Sequence, residues 1–115
     1  MDSPITLVQG DNRPYITLTI WDDGEDQAVD LSGASIVPRL YIKSVDTDEV
    51  LTVIEMTKIN SGTGGIVRFN FPGAALEIKP GLYLGFVEVD FAGEKQTSPK
   101  PLIFDVRRKY STEDY

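Results

Sequence analysis

A chain of 115 residues fits one domain with a single sizeable core, and its 7 Pro and 10 Gly are scattered as punctuation rather than gathered into a linker. The sequence has no Cys and no His, which excludes a disulfide framework, Ser-His-Asp and Cys-His nucleophile systems, and metal sites built from thiolate or imidazole. A net charge of −7 opposes phosphate neutralisation and argues against nucleic acid as a partner, and no apolar run approaches the roughly 20 residues that a membrane helix needs.

The first eleven residues, "MDSPITLVQGD", lack both the basic start and the apolar stretch of a signal peptide, so synthesis in the cytoplasm without a cleaved export signal is expected. Within them "ITLVQ" reads as a strand, closed by Gly10-Asp11-Asn12. "PYITLTIW" alternates, with Ile16, Leu18 and Ile20 on one face and Tyr15, Thr17, Thr19 and Trp21 on the other. Trp21 is expected half-buried at the strand end. "IVPRLYIK" follows, with Leu40 and Ile42 on one face; Pro38 has no N–H to donate and marks an edge or a bulge. "VLTVIEM" is a strand whose facing the pattern leaves open. Residues 61–65, Ser-Gly-Thr-Gly-Gly, read as a flexible turn. In "GIVRFNF", Val67, Phe69 and Phe71 point inward. "PGAALEIKPG" is the only helix-like piece, limited to one or two turns by its Pro-Gly pairs. "LYLGFVEVDF" is the longest strand, Ala92-Gly93-Glu94-Lys95 a hairpin turn, and "PLIFDVR" the last strand.

Seven short strands with turn signals between them and no long helix predict an all-β fold, an Ig-like antiparallel β-sandwich over residues 1–109, with a small barrel as the alternative. Residues 110–115 are polar, have no strand period, and are expected to form a flexible C-terminal tail.

Five acids fall between Trp21 and Asp30: Asp22, Asp23, Glu25, Asp26 and Asp30. A calcium loop of the EF-hand type needs a Gly at its sixth position and a Glu at its twelfth. Counted from Asp22, the Gly is third and the twelfth residue is not Glu, so the pattern fails. The stretch reads as a solvated connection between strands. Glycoside hydrolysis needs two acids on rigid elements beside a sugar cleft, whereas these acids cluster on a loop and Glu55, Glu88 and Asp90 fall at solvent-facing strand positions. No catalytic residue, metal ligand or cofactor is expected. Beyond the acids, Leu31 in "AVDLSGASI" is placed to plug the end of the core, while Ser32-Gly33 turn the chain.

That segment resembles the "D-L-[ST]-G-A" element of small Ig-like domains in tailed-phage virions, and most closely the N-terminal domain of siphophage upper baseplate proteins. "VQGD" (residues 8–11), "GIVRFNF", "KPGLY" (residues 79–83) and "VDFAGEKQTSP" (residues 89–99) are similar to motifs of that family and stand in the same order, over residues 5–107. The Gly81-x-Tyr83 pair also matches part of a tyrosine corner, with Lys79 where an Asp is usual. Upper baseplate proteins continue into coiled-coil or fibre-attaching regions. Those regions are not within this sequence, and the resemblance implies either a fragment of such a protein or a stand-alone virion protein as the expectation. The resemblance implies a non-enzymatic structural component of the virion, at the tail tip or baseplate, that anchors the host-recognition apparatus through contacts with other phage structural proteins. Alternatives are a capsid decoration protein and a carbohydrate-binding module, for which Tyr15 and Trp21 are the only candidate sugar platforms.

The expected working surface is an outer sheet face. If Tyr83, Val87, Val89 and Phe91 point inward, Leu82, Leu84 and Phe86 point outward. In an Ig-like order this strand lies between the third and the last, which adds Val37 and Tyr41 on one side and Ile103 on the other. Val37, Tyr41, Leu84, Phe86 and Ile103 are then candidate interface residues of a homo-oligomer or a docked partner. A bulge at Gly85 would instead turn Leu84 and Phe86 into the core.

Overall fold

The computed structural model describes residues 4–22, 27–47, 49–73, 75–97 and 101–109. The expectations for Asp23–Asp26 and for the tail 110–115 lie outside the described residues. Two sheets face each other. The larger contains β1 (Ile5–Val8), β11 (Leu102–Arg107), β9 (Gly81–Phe91), β5 (Ile36–Ser44) and β6 (Val50–Glu55), in that order, with β10 (Glu94–Thr97) also on β9. The smaller has the order β2 (Ile16–Thr19), β8 (Ile66–Phe69), β7 (Thr57–Lys58). A two-residue pair, β3 (Trp21–Asp22) with β4 (Gln27–Ala28), flanks the acidic stretch. With β9 between β5 and β11, and β2-β8 opposite, this is the strand arrangement of an immunoglobulin-type sandwich.

Alternation in the sequence becomes alternation in burial. Along β9, Tyr83, Gly85, Val87 and Val89 are buried and the residues between them are half-buried. Leu40 and Ile42 of β5, Val67 and Phe69 of β8, and Phe104 and Val106 of β11 meet them. Phe71 joins the layers, edge-on to Phe69 at 5.7 Å and to Phe104 at 5.9 Å. Among the described residues no polar or charged side chain is buried, so apolar burial dominates the cohesion of this core.

The corner after the acidic stretch forms as its residues imply. Leu31 is fully buried, Asp30 Oδ1 accepts the Ser32 N–H at 3.0 Å, and Gly33 O accepts the Ile36 N–H at 3.0 Å. Tyr83 Oη donates to the Lys79 carbonyl at 2.5 Å, which is a tyrosine corner in spite of the Lys. Burial pushes its hydroxyl pKa up. The β9–β10 hairpin turns through Ala92 and Gly93, both at positive φ.

Several expectations need correction. The sheet is not wholly antiparallel: β1 runs parallel to β11, from Ile5 opposite Phe104 to Val8 opposite Arg107. The chain leaves β1 for the opposite sheet instead of returning by a hairpin, and side-chain alternation carries no information on strand direction. Residues 61–65 form a turn, as expected, and two of its glycines, Gly62 and Gly65, are buried against neighbouring segments. Gly62 O accepts the Leu31 N–H at 2.9 Å, and a Cβ on Gly62 (φ 86°) would lie 2.8 Å from the Leu31 carbonyl. "PGAALEIKPG" forms turns without a helix among its described residues, with Leu76 buried and its carbonyl bonded to Gly10 N. Strand β5 is paired on both sides from Arg39 onward, and Pro38 falls just beyond its last pair with β6, at an edge as expected. Pro38 is tolerated there because the side that lacks its N–H faces Met56, where the chain leaves β6 for the other sheet; Met56 N donates to Pro38 O at 2.9 Å. Trp21 is 58% exposed, not half-buried, although it borders a shallow pocket with Val87, Val89 and Phe91 of β9.

Candidate assembly surface

The outer face of the larger sheet is set by two registers. Strand β5 pairs with β9 without interruption, from Ile36 opposite Phe91 to Ser44 opposite Tyr83, and β11 pairs with β9 from Leu102 opposite Gly85 to Val106 opposite Gly81. No bulge occurs at Gly85, which faces inward. A Cβ there would lie 2.5 Å from the Phe104 ring, so the missing side chain makes room for that ring. Leu84 and Phe86 therefore stay on the outer face, half-buried against their neighbours.

Tyr41 lies directly opposite Phe86, and Ile103 directly opposite Leu84. On the other side of Tyr41 stands Val53 of β6, 47% exposed. Val53, Tyr41, Phe86, Leu84 and Ile103 thus form one apolar band across four strands. Leu82, half exposed, extends it along β9. Of the five residues singled out in the sequence, four come together here. Val37 does not: it sits opposite Asp90 and is separated from Tyr41 by Arg39. It lines an open groove of about 490 Å³ with Ile36, Pro38, Met56 and Lys58, where the chain changes sheets. Val53 was missed because Leu51 and Val53 are apolar yet exposed while Ile54 and Met56 are apolar and buried, so the period of two is masked.

Polar groups border the band on one side. Tyr41 Oη donates to Glu88 Oε1 at 3.1 Å, and the Arg39 guanidinium lies 3.5 Å from Asp90 Oδ2. Desolvation, helped by the neighbouring Glu88, pushes the Tyr41 hydroxyl pKa above its ordinary value. The Asp90 carboxyl is held below the ordinary carboxylate value, first because the Gly93 N–H donates to it at 2.8 Å and further by Arg39. On the other side Lys43 stands 5.7 Å from the Phe86 ring centroid, and Arg107 pairs with Asp105 at 2.9 Å. Such a surface, an apolar strip with polar margins on a rigid sheet, has the anatomy of a protein contact.

The candidate sugar platform is divided. Tyr15 is 55% exposed, but the Arg68 guanidinium lies 3.9 Å from its ring centroid and covers one face. Trp21 stands six residues further on, about 20 Å along an extended chain. Among the described residues, no three acids gather as a metal site. No protein-family model matches the chain, and a search of curated proteins finds no match either.

Proposed function

We propose that this domain is a non-catalytic structural component of a tailed-phage particle, placed at the tail tip or baseplate, where it helps anchor the host-recognition apparatus through protein–protein contacts. The observation that carries the reading is the apolar band of Val53, Tyr41, Phe86, Leu84 and Ile103 on the outer sheet face. It spans four hydrogen-bonded strands and is bordered by charges, which suits rigid docking better than catalysis. The resemblance adds the virion context. Its motifs fall on structural corners, "VDLSGAS" on the Leu31 plug and "KPGLY" on the Tyr83 corner. A role as a capsid decoration protein uses the same surface.

The experiment is antibody labelling of purified particles from a lysate in which the chain is produced, read by electron microscopy. Label at the tail tip is expected. Label on the head assigns the domain to decoration, and particles free of the protein overturn the virion reading. The exposure of Trp21 favours a second reading, a module that touches host glycans. Reproducible binding on a glycan array that is lost in Trp21→Ala would establish it.

A further inference from the structure

We propose that the partner on this face is a second copy of the chain, related by a two-fold axis that runs along the strands between β5 and β9. The inference rests on reading the face as an assembly surface, and it names the occupant. Its basis is the way outward charges divide between adjacent strands. Strand β5 presents Arg39 and Lys43; strand β9 presents Glu88 and Asp90. Arg39 is directly opposite Glu88, and Tyr41 directly opposite Phe86.

An isologous contact places the same patch on itself, so it must be self-complementary. A two-fold axis along the strands keeps each row in place and exchanges β5 with β9. Arg39 then meets the partner's Glu88, Tyr41 meets the partner's Phe86, and the cationic strand covers the acidic one. A two-fold axis across the strands stacks β5 on β5 and brings Arg39 and Lys43 against their own kind, which disfavours a desolvated contact. Arg39 and Lys43 offset Glu88 and Asp90, and Glu55, opposite Arg39 on β6, leaves this face at about −1 on a chain that carries −7 overall, so it carries little of the repulsion that keeps copies apart. Sheets pack face to face at about 10 Å and about −30°, a separation that Tyr and Arg side chains fill. Four strands at about 4.8 Å spacing, over about eight residues of about 3.3 Å, cover roughly 500 Å² per copy. A pair therefore buries about 1,000 Å², the lower bound for a specific contact.

The test is the solution mass of the purified full chain by sedimentation, across a concentration series. The wild type is expected to move from 12.7 kDa toward twice that mass. Arg39→Glu and Glu88→Arg alone each set like charges across the axis and are expected to weaken self-association at least about tenfold. An equimolar mixture of the two variants is expected to associate again, since each then meets its opposite across the axis. The neighbouring pair within one chain cannot produce that rescue. Phe86→Glu is the second arm: it removes the central apolar contact, sets a carboxylate beside Lys43, and is expected to be folded and monomeric. A wild type that stays monomeric, single variants that associate like the wild type, a mixture that does not associate, or a folded Phe86→Glu dimer each overturn the proposal. A monomeric wild type whose particles are still labelled removes only the second copy and leaves another virion protein as the occupant. Unlabelled particles remove the virion reading and leave the mass measurement to decide self-pairing.

Discussion

Gly85→Ala adds one methyl group in the centre of the longest strand. The new Cβ would lie 2.5 Å from Phe104 Cε2 and 3.1 Å from Leu40 Cδ1. Phe104 and Leu40 are 1% and 0% exposed, so neither has solvent to move into. Overpacking of this kind costs about 1–3 kcal/mol. Restricting the unfolded chain returns about 0.4–1 kcal/mol. The expected net loss is about 1–2 kcal/mol, or about 4–8 °C in Tm for a domain of this size. Urea unfolding followed by far-UV circular dichroism measures it. Phe104→Leu in the same chain relieves the clash, so the double-mutant cycle should show the two substitutions coupled by more than about 0.5 kcal/mol. A Gly85→Ala midpoint equal to the wild type, or strict additivity with Phe104→Leu, would refute the argument that Gly85 exists to admit the Phe104 ring. Self-association should be untouched, because the methyl group points away from the outer face.

Leu31→Ala should cost about 3–5 kcal/mol in the same assay, because Leu31 is fully buried and its backbone is fixed to Gly62, which prevents collapse into the cavity. Tyr83→Phe should cost about 1–2 kcal/mol through loss of the bond to the Lys79 carbonyl. The carboxyls of Asp30 and Asp90 are both held below 3.8, Asp30 chiefly by the Ser32 hydroxyl and N–H, Asp90 chiefly by the Gly93 N–H. A pKa lowered in the folded state means stabilisation that is complete above the unfolded value and lost as pH falls through the folded one. Melting temperature should therefore drop below about pH 3.8, and less steeply in Asp90→Asn; identical pH slopes for the two proteins would contradict this. Melting in excess EDTA and in millimolar calcium should coincide. Strong stabilisation by calcium would show that the acidic stretch holds a metal.

Strand positions were legible where one face of a regular strand is buried. The eleven residues of β9 pair on both sides, so its alternation carried over to Leu84 and Phe86 without error. Val37 was placed on the correct face but in the wrong company, because a face assignment does not show that Arg39 stands between it and Tyr41. The facing of β6 was illegible for a physical reason. It is the outer strand of its sheet and then crosses to the other, so Val50, Leu51 and Val53 are apolar without being buried. The role of residues 61–65 was hidden for another. Glycines that loosen a chain and glycines that admit a neighbour look alike until Leu31, thirty-one residues before Gly62, is seen resting on them. Charge segregation between β5 and β9 was present in the sequence from the start. It acquires meaning only once the register sets Arg39 beside Glu88.

The parallel pairing of β1 with β11 has a mechanical consequence. A pull on the start of β1 and the end of β11, in opposite directions, runs along both strands. The ladder from Ile5–Phe104 to Val8–Arg107, prolonged by Gln9 N to Arg107 O at 2.8 Å, is then loaded in shear, with its bonds sharing the force at once. An antiparallel pair joined at that edge would peel open one bond at a time. Tension along the strand direction thus meets the domain in its stiffest orientation.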